Sequence, residues 1–172
     1  QKLLRGWDWS SDGKGRADAI AERLIRYAAR ANWRNDPLPD PRATLQKTVE
    51  EFSERFGRLD PALGDIQRLR RGKVDLPMLG GTDTLRATTM WDGEQADGKM
   101  RVRHGDSFIM LVRWDKAGTV VSESIQPYGA ATNRPESPHY TDQMKLYVAG
   151  KFKPVHFEWA DAVKNAKRRY RP

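Results

Sequence analysis

The segment that most constrains the fold is residues 108–114, because its apolar side chains would cover both faces of a β-strand. Ile109 and Leu111 fall on one face. The opposite face carries Phe108, Met110, Val112 and Trp114. A strand that is apolar on both faces is expected to lie inside a protein, with a layer packed on each side. A charge introduced at Met110 or Leu111 should then abolish folding.

A turn signal, Asp-Lys-Ala-Gly at residues 115–118, follows this strand directly. It predicts a hairpin whose return strand covers residues 119–125. Further strands are predicted at residues 85–91, 99–104 and 152–157.

Helical spacing dominates the first part of the chain. Residues 16–33 predict a helix that the sequence Asn-Asp-Pro at residues 35–37 ends. Its inward face would carry Ile20, Leu24, Tyr27, Ala28 and Ala31. Asp40 and Pro41 start a second helix, because an Asp N-cap followed by proline is a frequent helix start, and Gly57 ends it. The inward face of this second helix would carry Leu45, Val49, Phe52 and Phe56.

Three shorter helices are predicted by similar signals. One runs from Pro61 to Gly72 and would bury Leu63, Ile66 and Leu69. The next runs from Ser137 to Gly150 and would bury Tyr140, Met144, Tyr147 and Val148. The last covers residues 159–170 and would bury Trp159, Ala162, Val163, Ala166 and Tyr170.

The chain is therefore predicted to be one segment, residues 1–172, mainly helical to residue 72 and strand-rich afterwards, with two late helices. Helices that flank a two-sided antiparallel sheet predict an α+β fold.

Composition excludes several kinds of site. The chain has no cysteine, so disulfides, thiolate catalysis and cysteine-based zinc sites are excluded. The net charge of +8 could indicate an anionic partner, although a solvated basic surface gives the same balance. No apolar run reaches the roughly 20 residues needed to cross a bilayer. The chain begins at Gln1 without a methionine, and we expect it to be a fragment or a processed chain.

Six segments, in order along the chain, resemble the C-terminal part of the β-chain in the penicillin acylase family. They are Leu-Leu-Arg-Gly-Trp-Asp at 3–8, Asp-Ile-Gln-Arg-Leu-Arg-Arg-Gly at 65–72 followed by Val-Asp-Leu-Pro at 74–77, Gly-Gly-Thr-Asp-Thr-Leu-Arg-Ala at 80–87, Gly-Asp-Ser-Phe at 105–108, Ser-Pro-His-Tyr-Thr-Asp-Gln at 137–143, and Phe-Lys-Pro-Val at 152–155. The second and third resemble the branch of acyl-homoserine-lactone acylases and aculeacin A acylases most.

The resemblance implies an αββα sandwich and an N-terminal-nucleophile hydrolase that cleaves the amide bond of N-acyl compounds. In such enzymes an exposed N-terminal Ser attacks the amide carbonyl, with its own amine as base, and backbone and Asn donors stabilise the oxyanion. It also implies a periplasmic or secreted enzyme and no cofactor. The partners implied are the remaining β-chain and the α-chain, and the isolated piece is expected to self-associate or to expose an apolar face.

This chain lacks the nucleophile, because the family carries it upstream of the matching region. No Gly-Ser pair could be cut to expose one, and the Gly-Thr pairs at 81–82 and 118–119 fall in an uncut segment and a turn. We therefore assign no catalytic, cofactor or metal residue, and expect the chain alone to be inactive. His104, His139 and His156 lack metal-ligand spacing, and His139 with Asp142 is interpreted as fixing a helix start. Ser107, Ser122 and Ser124 lack a nucleophile elbow and fit alternate strand positions.

An alternative function is a free-standing basic module that binds nucleic acid or another anion. Its best candidate is the terminal basic cluster, Lys164, Lys167, Arg168, Arg169 and Arg171. Trp159 and Tyr170 lie nearby, but on the apolar face of the predicted helix, where they would pack and not stack on bases. Trp7 and Trp9 are likewise interpreted as packing residues. The cations also suit the end of a helix, and nucleic acid is therefore not favoured.

Overall fold

Two long helices open the fold, followed by short strands and two short late helices. The computed structural model describes residues 2–81, 88–89 and 96–168. Its helices are α1 Lys2–Arg5, α2 Asp18–Arg34, α3 Pro41–Phe56, α4 Leu63–Ile66, α5 Met144–Val148 and α6 Trp159–Asn165. Its strands are β1 Gln67–Arg71, β2 Val74–Pro77, β3 Thr88–Thr89, β4 Met100–Arg101, β5 His104–Gly105, β6 Ile109–Trp114, β7 Val120–Ile125 and β8 Lys153–Val155. The α+β class is confirmed.

The ends of α2 and α3 follow the local signals in the sequence. Asn35 takes the left-handed conformation (φ 56°) that ends α2. The Asp40 carboxylate accepts a hydrogen bond from the backbone N–H of Ala43 at 2.8 Å, which caps α3 before Pro41. Gly57 ends α3 with φ 64°. These predictions are confirmed.

The predicted helix from Pro61 to Gly72 is wrong in its second half. Only Leu63–Ile66 is helical, and the next five residues form β1, which pairs antiparallel with β2. Gly72 does not end a helix but, with φ 57°, lies in the turn between the two strands. Leu69 is fully buried, as predicted, but on the inner face of a strand. The helical part of the chain therefore ends at residue 66.

The strands form three small sheets. The first has the order β2-β1-β4, with β4 parallel to β1; the second pairs β3 with β5; the third has the order β6-β7-β8. The predicted strand at 99–104 corresponds to β4 and the first residue of β5, and the one at 152–157 contains β8. Of the predicted strand at 85–91, only residues 88–89 fall within the described residues, and they form β3.

The core lies between the first helices, the first sheet and α5. The buried residues of this core are Ala19, Ile20, Phe52, Leu63, Ile66, Leu69, Met78, Met100, Val102, Ile109, Ile125, Met144 and Tyr147. The helix predicted from Ser137 begins only at Met144, because residues 137–143 form successive turns. Met144 and Tyr147 are buried as predicted, whereas Tyr140 is half-buried.

The hairpin prediction is confirmed in pairing and wrong in burial. β6 pairs antiparallel with β7 from Ile109 opposite Ile125 to Trp114 opposite Val120. Ile109 is buried, but Leu111 is 41% exposed and Trp114 is 72% exposed. β6 is an edge strand of its sheet, so within the described part of the chain both of its faces keep apolar surface open to solvent.

The last helix is shorter and more exposed than predicted. α6 ends at Asn165 and buries none of its residues, and Trp159 is 82% exposed. The prediction that Trp159 packs in the core is therefore wrong. Tyr170 lies outside the described residues. Trp7 and Trp9 do contact each other, with ring centroids 5.0 Å apart, although Trp9 is exposed. No helix in the described ranges combines the length and the apolar character needed to cross a membrane.

Candidate functional site

Three charged residues on one face of α2 are buried. Asp18, Glu22 and Arg26 follow one another at four-residue spacing, which places them on one side of the helix. They face the loop at residues 11–15, the side chain of Gln67 in β1 and the backbone after β2. We call these residues the α2 polar cluster.

Asp18 is held by the loop before α2. Its Oδ2 accepts hydrogen bonds from the backbone N–H groups of Gly13 at 2.9 Å and Gly15 at 3.1 Å. Burial raises the pKa of the Asp18 carboxyl, and these two hydrogen bonds oppose that rise. The carboxylate therefore acts as an anchor that fixes the loop to the start of the helix.

Glu22 accepts a hydrogen bond from the Ser11 hydroxyl through Oε1. Its carboxylate packs directly on Gly81, where an added Cβ would lie within 2.7 Å of Oε2. A side chain at this position would force the Glu22 carboxylate to move. Burial raises the pKa of Glu22, while the hydrogen bond from Ser11 and the charge of Arg26 lower it.

Arg26 links α2 to the first sheet. Its Nη2 donates to Gln67 Oε1 and its Nη1 lies 3.3 Å from the sulfur of Met100. Gln67 Nε2 in turn donates to the carbonyl of Gly80 at 3.0 Å. Burial lowers the pKa of Arg26 to about 10, partly offset by Glu22, so the guanidinium keeps its charge at neutral pH. The cluster thus ties together the Gly-Gly segment, β1 and α2.

The space beside this cluster is too small for a substrate. A cavity of about 20 Å³ touches Glu22, Arg26, Gln67 and Met100, which is room for about one water molecule. The Ser11 hydroxyl beside the cluster bonds to the Glu22 carboxylate. The arrangement suits positioning of backbone segments.

Two of the segments that carried the family resemblance, residues 65–72 and 137–143, contact the same loop and have a structural role there. The guanidinium of Arg71 contacts the rings of Tyr128 and Tyr140, 4.6 and 4.4 Å from their centroids. The side chain of Gln143 accepts from the backbone N–H of Gln126 at 3.2 Å, and its backbone N–H donates to the carbonyl of Tyr128 at 2.9 Å. The Leu-Arg-Arg-Gly segment and the Ser-Pro-His-Tyr segment are therefore joined through the loop after β7.

The predicted pair of His139 and Asp142 is present, with Nδ1 2.8 Å from Oδ2. It lies on the surface just before α5, and the His139 carbonyl accepts from Ala131 at 3.1 Å. A second pair, His156 with Asp161, was not predicted because the two residues are five apart, one in the loop after β8 and the other in α6. Within residues 2–81, 88–89 and 96–168, no group of three or more potential metal ligands forms.

The serine and threonine candidates fall at structural positions. Ser122 and Ser124 lie in β7, as the strand alternation predicted, whereas Ser107 lies in a bend before β6 and the predicted strand position is wrong for it. Ser122 is buried opposite Val112 in the register. Thr119 closes the predicted turn, its N–H donating to Asp115 Oδ1 at 3.0 Å. Thr82 lies outside the described residues.

The terminal basic cluster is only partly described. Lys164 lies in the last turn of α6, and Lys167 and Arg168 follow it, all exposed. Arg169 and Arg171 lie outside the described residues.

A search of family models places the chain. The model described as penicillin amidase matches residues 1–164, nearly the whole chain. A search of the curated proteins finds no match. The family is one of amide hydrolases, and its match covers the two long helices, the three sheets and almost all of α6. The chain belongs to the penicillin amidase family.

Proposed function

We propose that this chain is the structural C-terminal part of the β-chain of a penicillin-acylase-type amidohydrolase that cleaves N-acyl compounds. The carrying observation is the family match over residues 1–164. The α2 polar cluster supports the same role, because it anchors backbone and leaves no room for a substrate.

The nucleophile, in this proposal, is the N-terminal Ser of the complete β-chain and comes from outside this sequence. Its hydroxyl attacks the carbonyl of a linear amide while its amine takes the hydroxyl proton. The C–N bond then breaks as that proton passes to the leaving amine, and water hydrolyses the acyl-enzyme to release the acid and the serine. The substrates we propose are acyl-homoserine lactones, β-lactams or acylated lipopeptides, with the lactone and aculeacin A branch favoured by the Leu-Arg-Arg-Gly and Leu-Arg-Ala segments. We place the enzyme in the periplasm or outside the cell.

The partners in this proposal are the remaining β-chain and the α-chain. They would cover the hairpin formed by β6 and β7, whose side chains at positions 110–112 are exposed although their pattern suits an interior strand. Exposed apolar patches of this kind usually mark an interface.

The test compares three proteins against an acyl-homoserine lactone, a penicillin and an acylated lipopeptide, with release of the free amine as the readout. The proteins are this chain alone, the longer protein that carries it, and the longer protein with its N-terminal nucleophile changed to alanine. We expect turnover only from the second. Turnover by the purified chain alone would contradict the proposal, as would full activity of the alanine variant. Intact mass and N-terminal sequence of the natural protein give an independent check of the processing.

A further inference from the structure

An open cleft of about 770 Å³ lies beside the end of β1, and its lining includes no residue of the α2 polar cluster. It is lined by the end of β1, residues 101–107 around β5, residues 126–130 and Thr132 after β7, and Tyr147 of α5. Among the described residues, the lining contains one carboxylate, that of Asp106, and four arginines: Arg70, Arg71, Arg101 and Arg103. Its wall is therefore strongly basic.

The guanidinium of Arg71 is held by three contacts. It lies 4.6 Å from the ring centroid of Tyr128 and 4.4 Å from that of Tyr140, and its Nη2 donates to the carbonyl of Thr132 at 2.9 Å. Thr132 and Tyr128 line the cleft as well. Among the described residues, Nη2 is the one nitrogen of this guanidinium with a protein acceptor, so Nε and Nη1 remain as donors. A guanidinium fixed in this way loses little entropy when it binds a ligand.

The other arginines that line the cleft differ in their surroundings. Arg70 is held by Asp75 at 3.1 Å and Asp97 at 2.5 Å, which cancels much of its field. Arg101, the last residue of β4, and Arg103, just before β5, are exposed. Burial raises the pKa of the Tyr128 phenol although Arg71 and Arg101 oppose the rise, so this hydroxyl stays protonated and can donate.

We propose that this cleft is a binding site for a small oxyanion, a carboxylate or a phosphate group, with Arg71 as the planar donor and Arg101 as the second cation. The planar fork of an arginine matches the two oxygens of such groups. The site differs in place and residues from the terminal basic cluster, and it does not depend on the proposed amide hydrolysis.

Titration calorimetry of the chain at low ionic strength tests the proposal, with inorganic phosphate and acetate as separate probes. We expect one saturable site, with acetate competing for phosphate. Arg71→Gln and Arg71→Lys should each raise the Kd about tenfold, because lysine restores the charge but not the fork. Arg101→Gln should raise the Kd by a similar factor. Arg101 is exposed, so its replacement leaves the contacts of Arg71 with Tyr128 and Tyr140 in place. Arg42→Gln, on the exposed surface of α3, removes the same charge elsewhere and should leave the Kd unchanged.

The outcomes separate the possible ligands. Competition between both probes supports a shared oxyanion site, while binding of phosphate alone or acetate alone identifies its source. Equal weakening by the Arg42, Arg71 and Arg101 variants would mean general charge attraction and would overturn the proposal. Loss of the site in the longer protein that carries this chain would also overturn it, since the arginines would then meet another protein segment.

Discussion

The first sheet with α2 and the hairpin formed by β6 and β7 differ in what they bury. Around the first sheet even charged residues such as Glu22 and Arg26 are enclosed, and Leu69 is 0% exposed. In the hairpin every residue of β6 pairs with β7, yet Leu111 is 41% exposed. Both β1 and β6 are paired along their length, but the hairpin contributes to the core only at its inner end, through Ile109 and Ile125, and the rest of β6 stays exposed.

This difference follows from what each strand has as neighbours. β1 lies between β2 and β4, with α2, α4 and α5 close by. β6 lies at the edge of its sheet, and α6, which follows that sheet, buries nothing. An apolar edge strand is open to pairing with another chain. The apolar pattern of β6 therefore specifies a strand, but it does not by itself specify that the side chains are buried.

The largest expected effect is the difference in the free energy of unfolding between two leucine-to-aspartate variants. Leu69→Asp places a charge in the core and should cost at least about 4 kcal/mol in the free energy of unfolding, enough to prevent folding. Leu111→Asp should cost less than about 1 kcal/mol in this chain, because the new carboxylate reaches solvent. This replaces the expectation, drawn from the sequence, that a charge at Leu111 abolishes folding. Urea unfolding followed by circular dichroism measures both.

The same two variants, made in the complete enzyme, test whether the two regions still differ there. If partner chains cover the hairpin in the complete enzyme, Leu111→Asp should become strongly destabilising there. Equal small costs in both proteins would mean that the hairpin stays open to solvent in the complete enzyme too.

The second expected effect is on association. The exposed apolar hairpin should make the chain self-associate as its concentration rises and bind a hydrophobic dye. Leu111→Asp should shift sedimentation toward the monomer and reduce dye binding. Leu38→Asp, at an exposed apolar position between α2 and α3, is the matched control and should change neither. A wild-type chain that stays monomeric without binding dye would show that the hairpin needs no cover.

The third expected effect is a pH dependence of the free energy of unfolding, which comes from Glu22 in the region of the first sheet and α2. Burial raises the pKa of Glu22 above 4.5, so the folded state binds more protons than the unfolded state between that value and the raised pKa. The free energy of unfolding should therefore fall as the pH rises through this window. Glu22→Gln should flatten that part of the profile, and Glu54→Gln, exposed on α3, controls for the lost charge. Melting temperature against pH measures it, and an unchanged slope in Glu22→Gln would assign the effect to other groups.

The parts of the fold that were predictable from sequence are those fixed by a few adjacent residues. Asp40, Gly57 and the turn at 115–118 determine local backbone geometry, and the structure has them as predicted. β1 was missed because Leu63, Ile66 and Leu69 are spaced three apart and fit a helix as well as they fit the observed helix and strand. What decides for a strand is pairing with β2, which no local pattern encodes.

The candidate sites were harder to predict from the sequence than the elements of the fold. Charged residues at four-residue spacing usually indicate a solvated helix face, so Asp18, Glu22 and Arg26 gave no signal of burial. The glycines at positions 13, 15 and 81 were the available clue, because two donate their N–H groups to Asp18 and the third lets Glu22 approach. The basic cleft is built from three distant segments, and its arginines become neighbours only in the folded chain.

The smallest expected effect is the loss of stability when a helix end loses a side-chain hydrogen bond. It compares the start of α3 with the end of α6. The Asp40 carboxylate caps α3, which packs through Phe52 into the core, so Asp40→Ala should lower the free energy of global unfolding by about 1 kcal/mol. Asn165 bonds to the carbonyl and carboxylate of Asp161 in α6, at 2.9 Å each. Because α6 buries nothing, Asn165→Ala should leave global unfolding unchanged and raise only the amide exchange rates of α6. Urea unfolding with hydrogen exchange measures both variants. A global loss in Asn165→Ala equal to that in Asp40→Ala would mean that α6 is coupled to the core, and the contrast between the two regions would then stop short of the last helix.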